Sequence, residues 1–393
     1  MLIYELHAEG FRNLSGGMEC SARTNLLYGE NAQGKTAWLE AIYVLACTKS
    51  FRTSNLKEVI SLASQRAVLR GEIGCGRITK QLQIQIDGGG KSIFVNSKRE
   101  SLENYLGNLS VVAFSSQEMG IVRGEPSERR RFLDRGIVTL YPSYLSILAA
   151  YNNVIKQKNA LLKTSLARNR LIEQIEIWNE QLVAYAAQIY SMRKKYTENL
   201  RQALEKRLFD ARPVDVRYKP SLQSQGLTDE ADEAEYATFL RQQLELRLES
   251  ELASGHALIG PHRDELEIFV DGLEASRFAS AGEQRSALLT LDLAQISVYS
   301  SRFGEYPVFL IDDIDAELDL RRIRLLLEHV EGKMQIFAST SKYTLAEMYR
   351  KRARCMTVLQ GRVLNALQEK NSLLPATEPE EASLEKVSYG QHT

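Results

Sequence analysis

The chain has 393 residues, 44% hydrophobic and 25% charged, with 50 Lys plus Arg balanced by 50 Asp plus Glu. That composition is globular and excludes a disordered or fibrous chain. Zero net charge excludes a protein that relies on nonspecific phosphate contacts, which would be basic overall, so nucleic-acid contacts have to come from local patches. No apolar run is long enough to cross a bilayer, and residues 1–11 lack a basic-then-apolar leader. Cys20, Cys47, Cys75 and Cys355 lie far apart with no CxxC pair, which argues against a disulfide framework or a zinc ribbon and for a reducing, cytoplasmic setting.

In chain order, alternation of Leu2, Tyr4 and Leu6 predicts a first strand. Residues 22–28 lead into a turn at Gly29, and residues 36–46 have helical composition. Residues 73–86 and 92–95 alternate as strands around the 88–90 glycine turn. From Pro126 the pattern turns helical. Ile172, Ile175, Trp178, Leu182, Tyr185, Ile189, Met192, Tyr196, Leu200, Leu204 and Leu208 step by threes and fours, the stripe of one long amphipathic helix. It reads as a core face against helices at 141–165 in preference to an intermolecular coiled coil, for which it is short. The stretch 136–172 has no acidic residue but carries Lys156, Lys158, Lys163, Arg168 and Arg170; a DNA surface and a plain solvated face both fit it. Residues 229–235 are acidic, the helical pattern resumes through Leu252, and residues 255–261 break it. Residues 307–311 and 335–338 read as short, buried parallel strands. The tail from Asn371 is polar, and there are no internal repeats.

The chemistry is concentrated in three motifs. Gly29-Glu30-Asn31-Ala32-Gln33-Gly34-Lys35-Thr36 fits GxxxxGK[ST] between a predicted strand and a predicted helix, a context that a chance match in a Gly-rich turn would lack. Glycines let backbone N–H groups wrap phosphates, and the helix N-terminus adds a favourable dipole. Lys35 is expected to reach the β- and γ-phosphates of ATP and the Thr36 hydroxyl to bind Mg²⁺. Far downstream, the apolar run 308–311 ends in Asp312 and Asp313. The first carboxylate is suited to holding Mg²⁺, the second to orienting or deprotonating an attacking water. Between these halves, Ser280-Ala281-Gly282-Glu283 opens a helix. Locally it is a capping box, with Ser280 as N-cap and Glu283 three residues on. The same exposed N–H groups also suit a γ-phosphate, and the two readings are compatible.

The order of phosphate loop, Ser-x-Gly helix start, Asp-Asp strand end and Glu317-Leu318-Asp319 resembles the ABC ATPases, and within them the RecF family, relatives of the SMC and Rad50 heads. The supporting residues span most of the chain: 10–14, 49–53, 124–134 with Arg129-Arg130-Arg131-Phe132-Leu133-Asp134, 151–163, and Gly260-Pro261-His262-Arg263-Asp264. The resemblance implies an α/β, ABC-type phosphate-loop head split in sequence, with an inserted, largely helical second lobe. Residues 1–112 and 291–370 would form the ATPase lobe, 113–290 the helical lobe with the signature loop, and 371–393 a polar tail. It also implies a cytoplasmic, weak and DNA-stimulated ATPase acting in DNA replication and in recombinational repair of gapped DNA. Two subunits would sandwich two ATP molecules, with Ser280 and Gly282 of one facing the γ-phosphate held by Lys35 of the other. Asp312 would be the Mg²⁺-associated carboxylate and Asp313 the catalytic one; Thr340 would contact the γ-phosphate. Gln117 would sense Mg²⁺, although the family usually shows Pro-Glu-Asp at 116–118, and a surface glutamine is the competing reading. Arg12 and Asn13 would touch the nucleotide, or Arg12 forms an ion pair instead. Arg129, Arg130 and Arg131 divide between pairing with Glu128 and Asp134 and reaching DNA. Implied partners are double-stranded DNA and single-strand/double-strand junctions, a second copy of the chain, RecR, and RecO in the same pathway, with no membrane. A transporter motor and a nuclease-coupled ATPase are the rival readings.

Overall fold

Alternate residues of a strand point to opposite faces, so a strand that is apolar throughout needs cover on both sides. Val308–Ile311 meets that demand: Val308 and Leu310 enter one core, Phe309 and Ile311 the other. The computed structural model describes residues 1–76, 78–205 and 212–365. Leu208 and the tail at 371–393 lie outside the described residues. In the central six-stranded sheet the order is Arg362–Asn365, Ala353–Leu359, Thr24–Tyr28, Ile336–Thr340, Val308–Ile311, Val111–Phe114. All neighbours are parallel except the antiparallel pair at the Arg362–Asn365 edge.

A six-stranded antiparallel sheet covers one face of this layer. Its order is Leu14–Glu19, Leu2–Phe11, Arg66–Cys75, Ile78–Asp87, Gly90–Val95, Lys98–Arg99. The Lys35–Cys47 helix belongs to the same core, and Trp38, Leu39, Ala41, Ile42, Val44 and Leu45 are all buried. A helix apolar all round is stable only when enclosed, and this one is. It ends where Thr48 adopts the left-handed conformation at φ 55°.

The opposite face of the central sheet packs on the second lobe. Ala281–Phe303 lies against it, followed by Pro126–Leu140, Tyr144–Leu161 and the 38-residue helix Arg168–Glu205, which is about 57 Å long at 1.5 Å per residue. Ile175, Leu182, Ile189, Tyr196, Leu200 and Leu204 of the predicted stripe are buried, with Trp178, Tyr185 and Met192 partly so. The stripe is covered from within the same chain, with Tyr144–Leu161 beside it. This lobe is not wholly helical. Val214–Lys219, Glu265–Val270 and Leu273–Glu274 form a three-stranded antiparallel sheet. The expected lobe boundaries at 112/113 and 290/291 fall inside the Val111–Phe114 strand and the Ala281–Phe303 helix.

Two segments that carry the family resemblance meet through Arg193. Its Nε and Nη2 donate to the two Asp134 oxygens at 2.9 and 3.0 Å, and its Nη1 to the Pro261 carbonyl at 2.7 Å. Asp264, fully buried, also takes the Ser221 N–H at 2.8 Å and the Tyr218 hydroxyl. Burial pushes the Asp264 carboxyl up from its ordinary range, and the Arg193 charge opposes that shift. His262 joins the same core, its Nδ1 2.6 Å from the Tyr151 hydroxyl, and burial lowers its pKa to about 4.

Candidate nucleotide site

Residues 29–36 join the Thr24–Tyr28 strand to the Lys35–Cys47 helix, and the turn requires left-handed backbone at Ala32 (φ 64°) and Gly34 (φ 106°). Gly34 also faces Asn13, whose side-chain atoms would lie 3.2 Å from any Cβ added there. The Lys35 ammonium is buried within the loop and donates to the carbonyls of Gly29 and Glu30, both at 2.9 Å. A second turn braces the loop from below. Gly361 N–H donates to the Gln33 carbonyl at 2.7 Å, Gln360 N–H to Gln33 Oε1 at 2.7 Å, and Trp38 Nε1 to the Gly361 carbonyl at 3.1 Å. Gly361 has φ 79°, and a Cβ on it would meet the Asn13 carbonyl at 1.8 Å.

Strand order brings the distant carboxylates to the loop. Thr24–Tyr28 and Val308–Ile311 flank Ile336–Thr340, so Asp312 emerges beside the first helical turn. Thr36 Oγ1 donates to Asp312 Oδ1 at 2.9 Å, and Ser339 Oγ donates to the same oxygen at 2.8 Å. Asp313 takes the left-handed conformation (φ 46°), and its N–H donates to Ser339 Oγ at 2.7 Å. Burial, then the charge of Asp312, raises the Asp313 pKa above the ordinary carboxylate value, with Lys35 opposing. Thr36 Oγ1 and Asp312 Oδ1 are hard oxygen donors side by side at the end of the loop, the donor type that Mg²⁺ accepts alongside nucleotide phosphates. Among the described residues no cluster of three or more His, Cys, Asp or Glu side chains forms a metal cage, and such a cation does not require one.

The remaining expected residues are placed as follows. Thr340 is buried and donates to Asp315 Oδ1 at 2.6 Å, so its hydroxyl is committed away from the loop while Ser339 faces Asp312. Arg12 forms the ion pair: Nε and Nη2 reach Glu40 at 3.0 and 2.7 Å, and Arg52 and Ser50 converge on the same carboxylate. Glu40, fully buried on the phosphate-loop helix, therefore ties residues 10–14 and 49–53 to it. Gln117 is exposed on the single turn Ser116–Met119, while its neighbour Glu118 is buried and paired with Arg135. Ser280 and Glu283 make both halves of the capping box, at 3.4 and 2.7 Å, on an exposed helix start. Within one chain neither Ser280 nor Gly282 is hydrogen-bonded to the loop. On the same helix Arg285 is 3.1 Å from Glu317, four residues beyond Asp313.

The basic candidates change more. Lys158 is removed from any DNA surface: it is 0% exposed and ion-paired at 2.6 Å with Glu251, also 0% exposed. The physical reason is its register, since Tyr151, Val154 and Lys158 share the buried face of Tyr144–Leu161. Lys156, Lys163, Arg168 and Arg170 are exposed, although Arg168 meets Glu249. Arg129 forks onto Glu265 at 2.7 and 2.8 Å, Arg130 donates to the Asp264 carbonyl at 2.8 Å, and Arg131 pairs with Glu128 at 2.6 Å. Asp134 is taken by Arg193, not by that arginine cluster. His262 and Arg263 belong to the second lobe, where His262 is held against Tyr151. Ser339 belongs to the segment 339–341, within which Thr340 is the expected γ-phosphate contact, whereas Glu40 and Gly361 had no recognised role in the sequence; Gly361 follows a strand with Gln360, a turn signal that a search for φ-positive glycines would find.

Fold and site together define a phosphate-loop head of the RecF/RecN/SMC type, and the family model described as "RecF/RecN/SMC N terminal domain" matches residues 2–363. The "DNA replication and repair protein RecF" of Staphylococcus carnosus (strain TM300) is 35% identical over 93% of this chain and 100% of its own length. That of Staphylococcus epidermidis (strain ATCC 12228 / FDA PCI 1200) is 37% identical over 87% of this chain and 93% of its own. Solved structures of the "recombination mediator protein RecF" in the RecFOR pathway align with TM-scores of 0.82 for RecF-ATPrS and 0.83 for RecF-ATP, at 29% identity over 93% of this chain. They cover 98% and 97% of those chains. The chain belongs to the RecF family.

Proposed function

We propose that this chain is an ATP-dependent DNA-binding protein of recombinational repair, acting on gapped DNA at single-strand/double-strand junctions. ATP binding drives two copies together on DNA, and slow, DNA-stimulated hydrolysis resets them. The observation that carries the nucleotide part is the 2.9 Å contact between Thr36 and Asp312, which unites a phosphate loop with a carboxylate 276 residues away. The repair role, with RecR and RecO as partners and the cytoplasm as its place, is inferred from similarity to proteins named for DNA replication and repair and for the RecFOR pathway. No helix among the described residues is long and apolar enough to cross a membrane.

The residues divide the work. Backbone N–H groups of Glu30, Asn31, Ala32, Gln33 and Gly34 and the ammonium of Lys35 bind the phosphates, the ammonium leaving the carbonyls it now touches. Thr36 and Asp312 hold Mg²⁺, which when bound neutralises charge on the phosphate oxygens. Asp313 orients the attacking water and accepts its proton. Ser280 and Gly282 of a second copy present helix N–H groups to the γ-phosphate, completing the site across the interface. We assign 1–114 and 304–365 to the ATPase lobe, 115–303 to the lobe carrying Ser280, and 371–393 to a polar tail, each lobe bound set at the end of the strand or helix it would otherwise cut. Gln117 and Thr340 keep sensor and γ-phosphate roles only if the Gln117 turn and the strand end at Thr340 rearrange on ATP binding. The test is titration of ATP into Lys35→Ala and Thr36→Ala, each checked for native fold. Lost affinity is expected, and parental affinity in both would overturn the assignment.

A further inference from the structure

Two helices start at the two halves of the proposed site. Lys35–Cys47 begins on the phosphate loop, and Ala281–Phe303 begins at Ser280. Tyr43 lies about 12 Å along the first, and Asp292 about 17 Å along the second. Tyr43 meets Arg135, on the Pro126–Leu140 helix. Its Nη1 donates to the Tyr43 hydroxyl at 3.1 Å and to Glu118, the residue after Gln117. Asp292 is 0% exposed and lies in the field of both Glu118 and Arg135.

This cluster is under-paired. Glu118 Oε2, both carboxylate oxygens of Asp292, Ser115 Oγ and Gln295 Nε2 are buried with no hydrogen-bond partner. The adjoining cavity, lined by Tyr43, Arg135, Thr139 and Gln295, measures about 20 Å³. That is far too small for a nucleotide or cofactor, so the cluster is not a ligand site. Buried polar atoms left unpaired disfavour the arrangement that contains them over one that pairs them. A guanidinium has five donors in a fixed fork, enough to serve a second carboxylate. Here Arg135 bonds Glu118, while Asp292, buried on a different element, has no hydrogen-bond partner for either oxygen.

We propose that Arg135 is a positioning residue that couples the two lobes to turnover, its fork re-pairing between Glu118 and Asp292 as the Ser280 helix shifts against the phosphate-loop helix. The Gln117 turn moves with Glu118, and Tyr43 carries the same shift to the helix that begins at Lys35. Arg135 takes no part in holding ATP.

This inference rests on the nucleotide-site reading, and the experiment separates the two. ATP affinity by titration and kcat are measured on the full chain for Arg135→Ala, Arg135→Lys and Tyr43→Phe. Arg135→Ala should bind ATP within about twofold of the parent yet turn over at least about tenfold more slowly, the pattern of an interaction used only in turnover. Arg135→Lys, which keeps the charge and loses the fork, should fall between. Tyr43→Phe removes one hydroxyl and should lower kcat in the same direction by a smaller factor. Should Arg135→Ala fail to fold, the other two variants decide. Parental kcat in Arg135→Lys and Tyr43→Phe overturns the proposal, as does a loss of ATP affinity in proportion to kcat. Failure of the nucleotide-site reading would look different, with the parent and Lys35→Ala binding ATP equally.

Discussion

At residue scale, burial of His262 makes part of the fold's stability depend on an uncharged imidazole. The ring sits against Tyr151, and burial lowers its pKa from 6.5 to about 4. A depressed histidine contributes stability above pH 6.5, where neither folded nor unfolded ring is protonated. As pH falls from 6.5 toward 4 the unfolded chain takes up the proton first, so stability declines, by about 2 kcal/mol at pH 5. His262→Gln should remove this share of the acid slope, read as a smaller difference between denaturation midpoints at pH 7 and pH 5. An unchanged slope would mean that the imidazole is not held neutral. Asp313 gives a second residue-scale prediction. Asp313→Asn should keep ATP affinity, because Lys35, Thr36 and Asp312 remain, and lose at least about 100-fold in turnover if the carboxylate is the general base. Hydrolysis at the parental rate would take that role from it.

At the scale of elements, the Tyr144–Leu161 helix shows how a charge pattern in sequence divides between core and surface. Lys158→Ala would leave Glu251 buried and unpaired, and a loss of about 3–5 kcal/mol is expected from chemical denaturation. Lys158→Met with Glu251→Leu should restore most of it, since both partners are then apolar. A loss below about 1 kcal/mol for the single change would contradict the buried pair. Replacing the exposed Lys156, Lys163, Arg168 and Arg170 should flatten the salt dependence of DNA binding, each lost phosphate contact removing released counterions. An unchanged salt slope would place the DNA surface elsewhere.

Much of the nucleotide site was legible because phosphate loops and apolar strands ending in carboxylates are local patterns. The Thr36–Asp312 contact required only that their two strands share a sheet. Ser339 and Glu40 were not legible in the same way. Which residue of 339–341 faces Asp312 depends on strand register, and the Glu40 pairing depends on loops folded back over the phosphate-loop helix. The burial of Lys158 was not legible in the acid-free stretch 136–172 for a related reason: Glu249 and Glu251, on the Leu248–Ser254 helix, supply in space the acid missing in sequence. The three-stranded sheet was missed because Val214–Lys219 pairs with Glu265–Val270, about 50 residues on, and its alternation is short.

For the whole molecule, the decisive observation is that Ser280 makes no hydrogen bond to the phosphate loop within one chain. The helix start is exposed, capped by its own Glu283, and bonded to nothing in the loop. A cap alone makes Ser280→Arg a modest destabilisation of about 1 kcal/mol, with hydrolysis reduced only by unfolding. A site completed by a second copy makes the same substitution block closure while ATP still binds through Lys35. The measurement that separates these is ATPase activity of a tethered dimer combining one Lys35→Ala copy with one Ser280→Arg copy, which retains one intact composite site. The account predicts that this heterodimer recovers activity absent from both tethered homodimers. No recovery in a folded, ATP-binding heterodimer would contradict it and leave Ser280 as a helix cap.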